Sequence, residues 1–284
     1  MRGIFIFKGN LRAMAIYPLS YRTKGRDISV FSNPSGTPGY VRPAKGPDGR
    51  QNTATQFFGK PNSFIQFPNT GRLDTRRSIT LLAWIYHEGH AGPIFNYMPN
   101  GWGVHFWMVS PSTLFARFTR RQRRRFTPHV QYRGIRPRTW QYVGATYSAP
   151  TGVAKLYVNS RLVARKRIGR MRLATNYPVR MGARIGDSRF FRGRISCMQV
   201  YGAALNSGQI AARQKRCFLK GKVFFIKAEH FLHFVSGGIV SHDSLRKDTH
   251  IFQCHFEIFL SFHRSKTRSP NYSRRGTRST WQTK

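Results

Sequence analysis

Residues 78–109 hold the longest uninterrupted strand signal in the chain. From Ser78 to Tyr86 two sets of side chains alternate, and both contain apolar residues, as expected of a strand inside a two-sheet sandwich. After a glycine-containing break at residues 87–92, the segment GPIFNYM resumes the pattern. Pro99-Asn100-Gly101 then supplies a turn before a third alternating segment, residues 102–109. The sequence therefore predicts three antiparallel strands at the centre of an all-β domain.

Further strand signals follow one another at intervals of about 8 to 15 residues, the spacing typical of a sandwich or barrel. They are AIYPLS (15–20), ATQFFG (54–59), NSFIQFPN (62–69), STLFARFT (112–119), TWQYVGATYS (139–148), AKLYVNSRLVA (154–164), VRMGARIG (179–186) and RFFRGRISCMQVYGAAL (189–205). Residues 32–49 are rich in Gly, Ser and Pro and predict a loop. Gly193 predicts a β-bulge or a site of close packing.

Asn206, with Gln209 three residues later, has the spacing of an N-cap and its N3 partner. We therefore expect a short helix over SGQIAARQKR that ends at Cys217. The fold class predicted is all-β: a two-sheet antiparallel jelly-roll sandwich with one short C-terminal helix, followed by a mostly disordered tail.

The charge is strongly unbalanced. The chain has 49 Lys and Arg against 9 Asp and Glu, a formal net charge of +40. A partner rich in sulfate, phosphate or carboxylate is the natural interpretation. The alternative is a compositional bias of the gene or a partly spurious reading frame, because charge alone identifies no specific partner.

Arginine clusters are the strongest site signal, because the planar guanidinium binds sulfate, carboxylate or phosphate through two parallel hydrogen bonds. One cluster ends a predicted strand, and another surrounds the predicted hairpin at residues 154–164. The candidate anion-binding residues are Arg117, Arg120, Arg121, Arg123, Arg124, Arg125, Arg165, Lys166 and Arg167. A third cluster contains Arg180, Arg184, Arg189, Arg192 and Arg194. Solvated basic loops are the alternative interpretation.

The ends of the chain differ from its centre. Residues 1–12 contain an apolar run too short for a secretory signal, and we expect no intact signal peptide there. No window is apolar enough for a transmembrane helix. Residues 218–284 end in a Ser, Thr and Arg-rich segment, which predicts a disordered basic extension, functional or an artefact of the gene model.

The ordered set of segments resembles the laminin-G-like jelly-roll domains of the concanavalin A-like lectin/glucanase superfamily. The residues that carry the likeness are AIYPLS, GPDG, ATQFFGKPNSFIQFPN, SITLLAWIY, GPIFNY, WQYVGATYSAPTGVAKLYVNS, VRMGARIG and FFRGRISCMQVYGAALNSGQI. The resemblance covers residues 13–217. It implies an extracellular or secreted domain that binds glycans or proteins, and it agrees with a heparin-like polysaccharide as ligand.

The resemblance also implies a disulfide between Cys197 and Cys217, which leaves Cys254 unpaired; two buried free thiols are the alternative. Related domains often hold one Ca²⁺ through Asp side chains. Asp27 and Asp187 are the candidates here, but Arg184, Arg189 and Arg192 surround Asp187 and disfavour a cation, so the metal site stays open. Trp102, Trp107 and Trp140 are candidate sugar-stacking platforms, with burial in the sandwich core as the alternative.

Catalysis is not expected. Glycoside hydrolysis needs two carboxyl groups facing one cleft, and no acids of residues 13–217 have the spacing of neighbours on one face of a strand. The acids are Asp27, Asp48, Asp74, Glu88 and Asp187. The sequence therefore predicts a non-catalytic binding or adhesion module. The alternatives are a basic nucleic-acid-binding protein, since RRQRRR resembles arginine-rich RNA-binding peptides, and a structural fragment of a larger adhesive protein without activity of its own.

Overall fold

A computed structural model describes residues 11–122 and 128–218 of the chain. The chain divides into two units, Met1–Lys222 and Val223–Lys284, and every described residue lies in the first. The extension predicted to be disordered, residues 218–284, lies outside the described residues apart from Phe218.

The described residues form fifteen strands and one short helix. In chain order they are β1 (Ala15–Tyr17), β2 (Thr37–Pro38), β3 (Arg42–Ala44), β4 (Ala54–Phe58), β5 (Ile65–Phe67), β6 (Ile79–His87), β7 (Gly92–Tyr97), β8 (His105–Ser110), β9 (Thr113–Arg117), β10 (His129–Arg133), β11 (Trp140–Ser148), β12 (Val153–Val158), β13 (Arg161–Arg167), β14 (Val179–Met181), β15 (Arg192–Tyr201) and α1 (Ser207–Ala211). The predicted fold class, an antiparallel two-sheet sandwich with a single short helix, is confirmed.

Two sheets pack face to face. The first sheet has the order β13-β12-β11-β6-β15-β4-β3, and β1 also pairs with β15. The second sheet has the order β10-β9-β8-β7-β14-β5-β2. Neighbouring strands are antiparallel throughout both sheets.

Residues 78–109 form three strands as predicted, but they belong to both sheets. β6 pairs with β11 and β15 in the first sheet. β7 and β8 form a hairpin in the second sheet. The break after His87 is therefore a crossover between the sheets. Both faces of β6 are apolar because each contacts a separate hydrophobic cluster.

The main core fills the space between the sheets, and it contains the alternate residues of β6 from Ile79 to Ile85. A second cluster lies on the outer face of the first sheet, where Leu82 and Tyr142 pack with Ile210 of α1. The segment after β15 thus covers part of that outer face. The Trp84 Nε1–H donates a hydrogen bond of 2.9 Å to the Gln214 carbonyl and helps to hold the segment there.

The N-terminus of α1 has the predicted capping box. The Asn206 side chain accepts from the Gln209 N–H, and the Gln209 side chain accepts from the Asn206 N–H. The predicted C-terminal bound is wrong, because α1 ends at Ala211. Beyond it, hydrogen bonds between residues three apart, such as Arg213 N–H to the Ile210 carbonyl, replace α-helical bonds.

Two local predictions differ from the structure. Residues 32–49, predicted as a loop, contain the short strands β2 and β3 at one end of each sheet. β10 was not predicted, because its alternation is weak: Val130 is its one residue in the main core, and Gln131 and Arg133 are exposed. Such strands are typical of sheet edges, where polar and charged side chains discourage further pairing.

Candidate functional site

A row of polar and charged residues crosses the outer face of the second sheet. The strand pairing places these residues directly opposite one another, in the order His129, Arg117, His105, Asn96, Arg180 and Gln66. Their sequence neighbours Phe106, Ala116 and Val179 belong to the main core. Because side chains alternate along a strand, the row faces away from the core. At about 4.8 Å between strands, it spans roughly 24 Å.

Arg117 lies at the centre of an aromatic cluster on this face. Its guanidinium carbon is 4.5 Å from the Trp102 ring centroid and 5.1 Å from that of Phe115. These are cation–π distances. Trp102 keeps 45% of its surface exposed, whereas Phe115 is buried. The buried Nε of Arg117 has no hydrogen-bond partner, and no carboxylate of the described residues pairs with Arg117.

A loop brings two more arginines to the same place. Arg184 lies with its guanidinium carbon 5.8 Å from the Trp102 centroid, and Arg189 lies 4.8 Å from that of Trp107. Asp187 accepts hydrogen bonds of 2.9 and 2.7 Å from Arg189, and Arg184 is 3.5 Å from it. Arg184 and Arg189 therefore share one carboxylate, and Arg117 beside them has none. We call Trp102, His105, Trp107, Phe115, Arg117, Arg184, Asp187 and Arg189 the arginine–aromatic cluster.

The local field is positive, as the pKa shifts show. Burial, followed by repulsion from Arg117, Arg184 and Arg189, lowers the pKa of His105 to about 3. His105 is thus neutral at physiological pH. Hydrogen bonds from Arg189 are the main cause that lowers the pKa of Asp187. Burial and the charges of Arg189 and Arg184 lower the pKa of Arg117 itself. A bound anion would relieve this repulsion.

An open cleft of about 650 Å³ adjoins the cluster, and it is lined in part by Arg180, Arg184 and Asp187. Arg180 donates hydrogen bonds of 3.0 and 2.6 Å to Gln66, and its guanidinium carbon lies 3.9 Å from the Phe64 ring centroid. Two arginines, Arg180 and Arg184, therefore line the cleft.

The structure separates the arginines of the first predicted group. Arg117 belongs to the cluster, but Arg121 of the RRQRRR segment pairs with Asp74 and its N–H donates to the Arg172 carbonyl. Arg120 forms an isolated bridge with Leu173. The candidates Arg123, Arg124 and Arg125 lie outside the described residues.

The second predicted group divides between two faces of β13. Arg165 lies opposite Lys155, and Lys166 lies opposite the core residue Ala154. Lys166 therefore points to the edge of the sandwich, where its charge contributes to the lowered pKa of His129, after burial. Arg165 and its alternate neighbour Arg167 lie on the outer face of the first sheet, away from the arginine–aromatic cluster.

The three tryptophans have different surroundings, and none belongs to the main core. Trp107 is buried on the outer face of the second sheet, where its Nε1–H donates to Asn96 at 3.1 Å. Trp140 packs against Tyr86, with the ring centroids 5.7 Å apart. Trp102 is the one exposed to more than a third of its surface, so part of its ring is accessible to a ligand.

Hydrogen bonds or ion pairs occupy the carboxylates of the described residues. Asp27 is buried and accepts from the N–H groups of Ile16, Ser29 and Asn33. Asp48 and Glu88 pair with Arg50 and Arg192. Within residues 11–122 and 128–218, no three His, Cys, Asp or Glu side chains group as metal ligands would.

A disulfide joins Cys197 of β15 to Cys217, the pairing that the family resemblance implies. It ties the segment after α1 to the outer face of the first sheet. Cys254 and the first ten residues, where a signal peptide was not expected, lie outside the described residues. No helix in the described part of the chain is long and apolar enough to cross a membrane.

The sequence predicted Arg117 as an anion-binding residue, but it placed Arg184 and Arg189 in a separate arginine cluster. Residues more than sixty positions apart meet here, and only the sheet order brings them together. A usable signal existed within the strands: His105 and Trp107 share a face, as do Phe115 and Arg117, by simple alternation.

Comparison with known proteins agrees with the architecture. The laminin-G family model described as the concanavalin A-like lectin/glucanases superfamily matches residues 58–211. The chain belongs to this superfamily. The match runs from the end of β4 through α1, and so includes the whole arginine–aromatic cluster. A comparison with curated proteins gives no match.

Among solved structures, two binding domains of toxins are similar. The botulinum neurotoxin serotype G binding domain has a TM-score of 0.56 at 15% identity over 70% of this chain and 50% of its own. The binding domain of paraclostridial mosquitocidal protein 1 has a TM-score of 0.56 at 15% identity over 71% and 51%. The chain thus spans about half the length of these structures. At this identity the likeness shows a shared fold.

Proposed function

We propose that this chain is a non-catalytic, extracellular binding module that recognises an anionic glycan, sulfated or carboxylated, at the arginine–aromatic cluster. The single observation that carries the proposal is Arg117. Its guanidinium lies within cation–π distance of two rings, and no described carboxylate neutralises it. A partly buried charge is costly unless it is paired. A ligand sulfate or carboxylate supplies the missing counter-charge.

The side chains around Arg117 favour a ligand in which a sugar carries the negative charge. The half-exposed Trp102 ring can cover an apolar sugar face, while Arg184 and Arg117 can hold the acidic substituent. Arginine is suited to this task because its planar fork matches a carboxylate or sulfate. The cleft lined by Arg180 and Arg184 extends the surface beyond the cluster.

The family and the disulfide support an extracellular location, because disulfides persist in oxidising compartments. The carboxylates' existing partners support a role in binding rather than hydrolysis, which needs two carboxyl groups on either side of a scissile bond. Each described carboxylate already forms an ion pair with an arginine or accepts a hydrogen bond from a backbone N–H.

The test is a glycan array with sulfated, carboxylated and neutral sugars at about 150 mM salt, with RNA as competitor. The full chain should bind sulfated or carboxylated glycans saturably, and RNA should not displace them. Arg117→Gln should lower the affinity about tenfold, the loss expected of one charge-assisted hydrogen bond.

The control is Arg133→Gln, which removes the same charge from an exposed position on β10. Equal losses in the two variants would mean that net charge, not the cluster, binds the glycan. Displacement by RNA would favour a nucleic-acid-binding protein. Absence of saturable binding to any sugar or RNA would favour a structural fragment without a ligand.

A further inference from the structure

A second basic site lies on the outer face of the first sheet, on the side of the sandwich opposite the arginine–aromatic cluster. Thr146, Lys155 and Arg165 lie directly opposite one another across β11, β12 and β13. Ala145 and Ala154, which neighbour this row in sequence, belong to the main core. The row therefore points outward, by the alternation of side chains along a strand.

Lys155 and Arg165 form a like-charge pair. Directly opposed like charges on one face of a sheet destabilise the pairing. Among the described residues, neither side chain has an ion pair or hydrogen bond. The described carboxylates are engaged elsewhere, as shown above for Asp27, Asp48, Asp74, Glu88 and Asp187. The pair thus lacks the counter-charge that would stabilise it.

A cavity of about 210 Å³ opens at this pair. Thr146, Ser148 and Thr151 line it together with Lys155, Arg165 and residues 204–206. The space exceeds the roughly 30 Å³ that one water occupies in the liquid, so it has room for an oxyanion. Hydroxyls can donate hydrogen bonds to such an anion.

We propose that this cavity binds a tetrahedral oxyanion, a sulfate or phosphate ester on a sugar. Arg165 supplies the planar fork and Lys155 a compact charge, and the hydroxyls donate to the remaining oxygens. The bound anion would neutralise the like-charge pair. No residue of this site belongs to the arginine–aromatic cluster, so the two proposed sites can be tested independently.

The first test is thermal unfolding of the full chain in sodium sulfate or phosphate, against chloride at equal ionic strength. Both oxyanions should raise the midpoint of the wild type. Lys155→Thr should raise the midpoint in chloride, because the repulsion is gone, and lose part of the rise caused by sulfate. Arg165→Gln, at an exposed edge position, should behave in the same way.

Arg161→Gln is the matched control, since it removes one charge from the same strand outside the cavity. It should keep the full rise caused by sulfate. If Lys155→Thr and Arg165→Gln also keep it, the proposal is wrong.

The second test is calorimetric titration with glucosamine 6-sulfate and glucosamine 6-phosphate, whose comparison identifies the preferred ester. The wild type should bind two equivalents of the preferred ester, and Lys155→Thr one. Arg117→Gln should weaken the binding of the other equivalent about tenfold. Weaker binding in Arg117→Gln with unchanged binding in Lys155→Thr would overturn this proposal and leave the proposed function intact. Weaker binding in Lys155→Thr with unchanged binding in Arg117→Gln would support this proposal and overturn the proposed function.

Discussion

Arg117 and Trp102 form a cation–π pair in which the guanidinium carbon lies 4.5 Å from the indole centroid. The pair joins β9 to the loop before β8. The Phe115 ring also contacts the guanidinium, at 5.1 Å, so the position of Arg117 is restricted before a ligand arrives. Such preorganisation lowers the entropy cost of binding.

Trp102→Ala should lower the affinity for a sulfated glycan about twofold to thirtyfold, because a cation–π pair contributes roughly 0.5–2 kcal/mol. Trp102→Phe, which keeps a ring, should retain most of the affinity. Titration calorimetry at fixed salt measures both. Trp140→Ala is the control, because that ring packs on Tyr86 away from the site. Equal affinities in wild type and Trp102→Ala would show that the ring has no part in binding.

His105 should make the domain sensitive to mild acid. Burial and the arginine charges hold its pKa at about 3, below the unfolded value near 6.5. The unfolded state therefore binds a proton first, and stability is lost as the pH falls below about 6.5 towards 3. Between pH 7 and pH 5 this group alone should cost about 2 kcal/mol.

Urea unfolding at the two pH values measures the loss. His105→Phe keeps a ring on the sheet face but cannot titrate, so its loss between pH 7 and pH 5 should be smaller by about 2 kcal/mol. Identical losses in wild type and variant would mean that the pKa of His105 in the folded state is not lowered from its unfolded value.

Much of the fold could be predicted because local patterns decided it. Alternation in residues 140–148 separates Tyr142 from Val143 and Ala145, and the structure places them in different clusters. The Asn159-Ser160 turn has positive φ at both residues, 48° and 66°, as a two-residue hairpin requires.

What the sequence could not supply was sheet membership and distant contact. β6 and β7 are neighbours in sequence but lie in different sheets, because the crossover depends on which partners each strand finds. The same holds for the candidate site. Arg184 and Arg189 lie on a loop that brings them to Trp102 and Trp107. Arg121, which was predicted to bind an anion, instead forms an ion pair with Asp74.

Gly193 should tolerate no side chain. Its φ is +137°, and a Cβ there would overlap the carbonyl oxygen of Tyr86. The backbone of β15 approaches β6 closely at this point, which agrees with the close packing predicted from the sequence. Gly193→Ala should lower the free energy of unfolding by about 1–3 kcal/mol for the overlap, in addition to about 1 kcal/mol for the backbone conformation.

Gly49→Ala separates the two costs. Gly49 also has a positive φ, +75°, but a Cβ there would meet nothing within 4 Å. It should therefore show only the conformational cost of about 1 kcal/mol. Urea unfolding measures both variants, and equal losses would mean that β15 shifts to accommodate the methyl group.

The Cys197–Cys217 disulfide should contribute about 3 kcal/mol to the free energy of unfolding, because it closes a loop over a sequence separation of 20 residues and loop closure restricts the unfolded chain by roughly this amount. Cys217→Ser, made in a Cys254→Ser background to avoid exchange, should lose this contribution in urea unfolding. A reducing agent should destabilise the Cys254→Ser background protein equally and leave Cys217→Ser unchanged. A loss well below 1 kcal/mol would mean that hydrogen bonds such as Trp84 to Gln214 already hold the terminal segment, also in the absence of the covalent link.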